Sequence, residues 1–217
     1  MSAVDFGAFV ADLATQSGRA ILPFFRALHA TEDKSRGGVF DPVTEGDRAG
    51  ESVMRHMIKR QFPAHGVLGE EFGSENTDAE YVWVLDPIDG TRAFIMGSPL
   101  WGTLIGLLDQ GQPLLGIMDQ PFTGERFWSG EKTSHLRRAG KTVTIKTRAC
   151  ASLKDAILTS THPGLFEAGR QQETLSRMER SVRMTRFGGD CYGYCLLAAG
   201  FVDIIVEPGL KSYDIAA

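Results

Sequence analysis

Apolar residues recur at helical spacing in two early segments of the chain. The first runs from Val4 to Leu28 and contains Pro23, so it predicts a long amphipathic helix with a kink. The second begins after Thr44 and ends before Pro63. Its apolar face comprises Val53, Met54, Met57, Ile58 and Phe62.

The middle of the chain changes to short apolar runs separated by turn residues, which is typical of strands in one sizeable sheet. Later segments predict a polar helix near Gln171 to Arg180, a helix from Asp190 to Ala199 and a strand from Phe201 to Glu207. No repeat or linker divides the chain. The pattern therefore predicts a layered α/β (α+β) unit over residues 1–217, with two lobes, about 1–145 and 146–217, as an open alternative.

Composition narrows the class of protein. The 217 residues are 42% hydrophobic and 23% charged, which excludes a disordered chain. The formal charge of −4 is unlike that of a typical nucleic-acid binder. Three cysteines are too few for a disulfide framework, and no run of about 18 apolar residues predicts a membrane span. We expect a cytoplasmic protein that binds neither nucleic acid nor membrane.

Three short acidic motifs contain the candidate functional residues. They are Gly69-Glu70-Glu71, Asp86-Pro87-Ile88-Asp89-Gly90-Thr91 and Tyr213-Asp214-Ile215-Ala216-Ala217. The first two each follow a strand-like run, and strand ends are where α/β sheets usually build their sites. Two carboxylates held close together repel each other unless a cation lies between them. Hard oxygen ligands favour Mg²⁺, Mn²⁺ or Ca²⁺ over zinc, and Mg²⁺ is the first choice.

The residues after Asp89 predict an anion site beside this metal. Gly90 allows close backbone approach, and the N–H groups of Gly90 and Thr91 would open a short helix. One Asp-rich turn could equally be a structural turn with helix caps. Three acidic motifs in one chain, together with Thr44 and Asp47, favour a shared metal and phosphate site.

The three acidic motifs, in this order, resemble those of the inositol monophosphatase family of magnesium-dependent, lithium-sensitive phosphatases. The resemblance extends over essentially the whole chain. The resemblance implies an αβαβα sandwich of the sugar-phosphatase type and two or three Mg²⁺ ions. The metal ligands it implies are Glu70, Asp86, Asp89, Asp214 and the backbone carbonyl of Ile88. It also implies that Gly90 and Thr91 bind the phosphate through their N–H groups.

The same resemblance assigns roles around the metals. Glu70, with Thr91 behind it, would orient and deprotonate the attacking water. The family's DxVTxxD motif matches Asp41, Val43, Thr44 and Asp47. This match implies that Asp47 belongs to the metal and water network. Lys34 and Asp41 would belong to a mobile loop that closes over the site. Tyr213 stands where the family usually has tryptophan.

The resemblance implies that the substrate is a small phosphate ester, and the residues on the leaving-group side must identify which one. Asp190 lies at a helix start in the motif GGDCYGY, where its negative charge suits a cationic group of the substrate. This motif is similar to that of histidinol-phosphate phosphatases. Asp190 and Glu207 would face the amine and the ring, with Arg186 near the phosphate or a partner subunit. The alternative interpretation of Asp190 is a plain helix N-cap.

Other functions stay open at this stage. An inositol or broader sugar-phosphate phosphatase is the main alternative, and an inactive metal-binding scaffold and an adenosine bisphosphate phosphatase are more distant ones. The resemblance further implies a homodimer. Because family members continue beyond the late aspartate, we expect their C-terminal helix and strand to be absent from the chain given.

Overall fold

A computed structural model describes residues 5–27, 32–33, 42–43, 45–130 and 132–217. Within these ranges the helices are α1 (Phe6–Ile21), α2 (Glu45–Gln61), α3 (Thr91–Ile95), α4 (Arg170–Ser181), α5 (Asp190–Ala198) and α6 (Ser212–Ile215). The first strands are β1 (Glu32–Asp33), β2 (Pro42–Val43), β3 (Gly66–Gly69), β4 (Gly73–Glu75), β5 (Tyr81–Asp89), β6 (Gly102–Asp109) and β7 (Gln112–Gln120). They are followed by β8 (Glu125–Ser129), β9 (Ser134–Arg138), β10 (Lys141–Ile145), β11 (Ile157–Ser160), β12 (Met184–Phe187) and β13 (Ile204–Ile205). Lys34, Asp41 and Thr44 lie outside the described residues.

An eight-stranded sheet forms the centre of the molecule, in the order β10-β9-β8-β7-β6-β5-β3-β4. Its neighbouring strands are antiparallel except for the parallel pair β3 and β5. Successive side chains of a strand point to opposite faces. Trp83 and Leu85 accordingly pack against α1 and α2, whereas Leu104 and Met118 pack against Cys191 of α5 on the other face.

A parallel three-stranded sheet, in the order β12-β11-β13, forms the next layer. Leu158 of β11 packs in one cluster with Leu175 of α4. The methyl group of the neighbouring Thr159 instead faces Gly193 of α5. The layers therefore alternate from α1 and α2 through the large sheet, α5 and the small sheet to α4, which confirms the predicted αβαβα arrangement.

Two predicted element boundaries were wrong. Helix α1 ends at Ile21, and the chain continues as a 3₁₀ turn over Leu22–Phe24, because Pro23 has no N–H with which to extend the α-helix. The last strand is shorter than predicted and comprises Ile204–Ile205. The Asp203 carboxylate accepts the Ile157 N–H at 2.8 Å, so a side chain takes the donor that a longer ladder would use.

The described helices include none whose length and apolar character would suit a membrane span.

Candidate metal centre

Three carboxylates meet where the large sheet contacts α6. One oxygen each of Asp86, Asp89 and Asp214 lies within 4.8 Å of the others. Asp86 and Asp89 are three residues apart on β5, so regular alternation would send them to opposite faces. The pairing of β5 with β6 shifts register between these two residues, which allows both acids to reach one site.

The charges of this acid cluster oppose one another. Burial raises the pKa of Asp86 well above its usual range, and the nearby charge of Asp89 adds to the effect. Burial also raises the pKa of Asp89 to about 7, with a further contribution from the charge of Asp190, although the Cys191 N–H donates to Asp89 at 2.6 Å. A cation bound among these carboxylates would therefore offset their repulsion.

The donor set fits a hard divalent cation. Asp86 Oδ1 is buried and has no hydrogen-bond partner among the residues that the structure describes. Buried charges are normally paired or bound to a metal, and carboxylate oxygens are the ligands that Mg²⁺, Mn²⁺ and Ca²⁺ prefer.

Two further acids approach the cluster from other elements. Strands β3 and β5 are parallel with Gly69 opposite Leu85, so Glu70 follows β3 at the same sheet edge as Asp86. Asp47 lies on α2 and is buried. The charges of Glu70 and Asp47 both raise the pKa of Asp86, which places them within electrostatic range of the three carboxylates.

The turn after β5 brings backbone groups to the cluster. Thr91 Oγ1 donates a hydrogen bond of 3.1 Å to the buried carbonyl of Ile88, which keeps a second lone pair for another partner. Gly90 has φ of 88°, and a Cβ there would lie 3.1 Å from Cβ of Asp190. A side chain at position 90 would therefore be strained and would displace Asp190.

An acidic cavity of about 210 Å³ opens beside the carboxylates and is lined by Asp89, Asp214, Asp190, Glu207, Tyr194 and Thr161, among others. Glu207 is held by two donors: the Thr161 N–H at 2.6 Å and the Tyr194 hydroxyl at 2.9 Å. Burial and the charge of Glu207 raise the pKa of Asp190 to about 6, against the opposing effect of Arg92.

Asp190 is held in an unusual backbone conformation. Its φ is 43°, in the left-handed region that non-glycine residues seldom adopt. The N-cap of α5 is Gly189, and no side chain caps it, so the interpretation of Asp190 as the N-cap is wrong. Gly189 provides the φ of 137° that the chain needs to enter the helix there.

Other sequence-predicted positions lie apart from this cavity. Arg186 is exposed on β12 and is not among the described residues that line the cavity, so its proposed role stays a prediction. Sequence reasoning missed Tyr194 and Thr161. Tyr194 could have been found from its position one helical turn after Asp190, on the same face of α5. Thr161 directly follows β11, so its place at a strand end was readable, but its contribution is a backbone N–H, which the residue type does not reveal.

A family model described as the inositol monophosphatase family matches residues 5–217 of this chain, acidic cluster included. The chain belongs to the inositol monophosphatase family. A chloroplastic bifunctional phosphatase, IMPL2, from Arabidopsis thaliana is 43% identical over 207 residues. That alignment covers 94% of this chain and 58% of the Arabidopsis protein, so the chain spans less than two thirds of that relative.

Two further relatives carry different names. A histidinol-phosphatase from Streptomyces coelicolor is 36% identical over 94% of this chain and 78% of its own length. An inositol monophosphatase structure from Zymomonas mobilis has 39% identity and a TM-score of 0.83, and covers 99% of this chain and 82% of that one. Family membership and the fold are therefore shown, whereas overall identity does not separate the two substrates.

Proposed function

We propose that this member of the inositol monophosphatase family hydrolyses phosphate monoesters with Mg²⁺. The ions would be held by Glu70, Asp86, Asp89, Asp214 and the carbonyl of Ile88. The support is the cluster of three carboxylates within 4.8 Å of one another, with the unpartnered Asp86 Oδ1 among the described residues, because a divalent cation would offset their repulsion. When bound, divalent ions lower the pKa of water and neutralise charge on the phosphate.

The chain's own residues would supply the remaining chemistry. Glu70 would accept the proton of the attacking water. Thr91 would lie behind Glu70, and its hydroxyl donates to the carbonyl of Ile88, one of the proposed ligands. Asp47, buried on α2, would belong to the metal and water network. The N–H groups of Gly90 and Thr91 would bind the phosphate beside Asp89.

The substrate we propose is L-histidinol phosphate, an intermediate of histidine biosynthesis. The observation that carries this proposal is the cavity in which Asp190 and Glu207 lie beside Asp89 and Asp214. A leaving group with an ammonium and an imidazole would neutralise these acids, whereas an uncharged polyol would leave their repulsion in place. Hydrogen bonds to both oxygens of Glu207 hold that carboxylate toward the cavity.

Inositol or sugar phosphates form the second candidate class. The inositol monophosphatase from Zymomonas mobilis, at 39% identity, is the observation that favours it. The glycine-rich entry to α5 and the Tyr194 hydroxyl would then contact polyol hydroxyls instead of a cationic group.

A two-substrate assay separates the candidates. Phosphate release is measured from L-histidinol phosphate and from myo-inositol 1-phosphate, each with Mg²⁺ and with chelator. We expect a higher kcat/KM for the histidinol ester and no release with chelator. Equal or greater turnover of the inositol ester would contradict the histidinol proposal, and failure to release phosphate from any small ester would contradict the phosphatase.

Several further properties are proposed from the resemblance alone. They are the binding of two or three ions, a homodimer, a cytoplasmic location, the contact of Arg186 with phosphate or a partner, and the loop roles of Lys34 and Asp41.

A further inference from the structure

A buried carboxylate outside the acid cluster holds the turn that carries Glu70. Glu51 of α2 has no exposed surface. Its Oε2 accepts the Glu71 N–H at 2.8 Å, and its Oε1 accepts the Phe72 N–H at 3.2 Å. The Arg55 guanidinium, one helical turn later, donates to Oε1 at 2.7 Å. Each oxygen of this carboxylate is therefore engaged by an N–H donor.

The turn is shaped to admit this carboxylate. A Cβ at Gly69 would lie 2.0 Å from Glu51 Oε1, so glycine leaves the space that the carboxylate occupies. Arg55 also donates to the carbonyl of Gly73, at the far end of the same turn. Glu51 and Arg55 thus bracket residues 69–73 as one unit.

Glu70 is held on one side by β5 and on the other by the turn that Glu51 and Arg55 contact. Its own N–H donates to the carbonyl of Leu85 at 3.2 Å, which ties it to the strand that carries Asp86. The next two N–H groups in the chain, those of Glu71 and Phe72, go to Glu51. The backbone on both sides of Glu70 is therefore fixed, and its side chain has a defined origin relative to Asp86.

We propose that Glu51 is a positioning residue that acts through Glu70. It holds the turn after β3 so that the Glu70 carboxylate faces the metal ions and the attacking water. This inference rests on the proposed function, because it assigns Glu51 to the same reaction. Groups that orient metal ligands typically affect metal affinity or activity by about 10- to 100-fold when they are replaced.

The test compares Glu51→Gln with a matched core variant on the same helix face. Glutamine keeps the shape but offers one acceptor oxygen, so at least one of the three donors loses its partner. Ile58→Val is the control, because Ile58 is equally buried and packs in the core formed by α1, α2 and the sheet. Thermal unfolding places the two variants on a common stability scale.

Three readouts distinguish positioning from a structural role. For Glu51→Gln we expect the half-saturating Mg²⁺ concentration to rise about tenfold, kcat to fall about tenfold and the KM for the ester to stay within about twofold. Binding of Mn²⁺, followed by electron paramagnetic resonance, should weaken by a similar factor without any substrate present. Glu51→Asp keeps the charge, should give a smaller effect of the same kind, and carries the test if Glu51→Gln does not fold.

A double variant tests the route through Glu70. In a Glu70→Gln background, adding Glu51→Gln should change Mn²⁺ affinity by less than about twofold, because contacts that act as a unit are not additive. An undiminished effect in that background, or a Glu51→Gln variant that differs from Ile58→Val only in unfolding temperature, would overturn the proposal. If Mn²⁺ affinity depends on Glu51 and Glu70 as expected but the wild-type protein releases no phosphate, the result would contradict the phosphatase proposal and support the positioning role.

Discussion

Asp86 and Asp190 show most directly how single side chains are held at a cost in stability. Asp86 is a buried carboxylate surrounded by other acids, and Asp190 is half-buried in a backbone conformation that few residues adopt. Strain and unbalanced charge of this kind persist where the rest of the fold supports them, and they concentrate at functional sites. Asp86 therefore offers a substitution whose effects on stability and on function should point in opposite directions, and Asp190 offers one that should change function with the fold preserved.

Replacing Asp86 with asparagine should stabilise the metal-free protein. Burial and the neighbouring acids disfavour the charged form of Asp86, and asparagine has no charged form. For a chain of this size we expect an increase in Tm of roughly 2–4 °C per kcal/mol, together with loss of divalent-ion binding. Differential scanning calorimetry in chelator, with the exposed Asp78→Asn as control, measures the first effect. A lower Tm than that of the control would contradict the argument.

Asp190→Asn should discriminate between substrates. Asparagine tolerates the left-handed φ of this position, so the entry to α5 should be preserved. Loss of the negative charge should raise the KM for histidinol phosphate about tenfold, which corresponds to about 1.4 kcal/mol, and leave that for an uncharged ester within about twofold. Steady-state kinetics with both esters provides the measurement. A uniform rise for both esters would show that Asp190 acts only on the fold.

Helices α1 and α2 are anchored to the large sheet by polar contacts as well as by the core. Arg126 of β8 is buried, pairs with Asp119, and donates to the carbonyl of Ala11 at 3.0 Å and to Thr15 Oγ1 at 3.1 Å. Helix α2 carries Asp47 and Glu51 on its buried face, so its placement sets part of the metal centre. At its end, the chain passes through His65 into β3.

The junction of α2 and β3 should make stability depend on pH. His65 stacks on Phe62 with ring centroids 4.6 Å apart, and its Nδ1 accepts the Trp83 Nε1–H at 3.1 Å. Burial lowers the pKa of His65, so the unfolded chain takes up the proton first. The contribution of His65 is therefore present above about pH 6.5 and is lost as the pH falls below that value.

Urea unfolding of wild type and His65→Gln at pH 7.5 and pH 5.5 measures this contribution. The difference in unfolding free energy between the two pH values should be smaller in His65→Gln, by a few tenths of a kcal/mol, because His65 is partly solvated. The metal-site acids titrate in both proteins and cancel in the comparison. An identical pH dependence of the two proteins would show that His65 does not contribute.

At the scale of the whole molecule, the candidate metal centre joins segments that are far apart in the chain. Asp86 and Asp89 belong to the large sheet, whereas Asp214 lies on α6, and Asp190 and Glu207 border the small sheet. A cation bound by Asp86, Asp89 and Asp214 would therefore connect the large sheet to α6, beside the acids that border the small sheet. Since the unfolded chain lacks this arrangement, binding should stabilise the fold as a whole.

Saturating Mg²⁺ should raise the unfolding temperature of the wild-type protein. At a free concentration 100 times Kd the stabilisation is about 2.7 kcal/mol, or roughly 5–10 °C for a protein of this size. Calorimetry with Mg²⁺, and with NaCl at equal ionic strength, separates specific binding from screening. The shift should disappear in Asp86→Asn, and an equal shift in that variant would place the ion elsewhere.

Much of the fold followed from local pattern. The helical spacing around Met54 predicted α2, the turn residues separated the strands of the large sheet, and the resemblance added the αβαβα layers that the structure confirms. Two boundaries were wrong for local reasons, since Pro23 ends α1 early and Asp203 shortens the last strand. The order of the three acidic motifs likewise indicated the family and the acids that meet at the sheet edge.

What the sequence determined by itself was most of the helices and large-sheet strands and the acidic motifs whose carboxylates meet, because helical and strand periodicity and short motifs depend on neighbouring residues. Only the tertiary structure decided how distant residues combine. The cavity joins Thr161, Asp190 and Glu207, and Glu51 reaches a turn about 20 residues further along the chain. These contacts depend on how the layers pack, and no local periodicity records that packing.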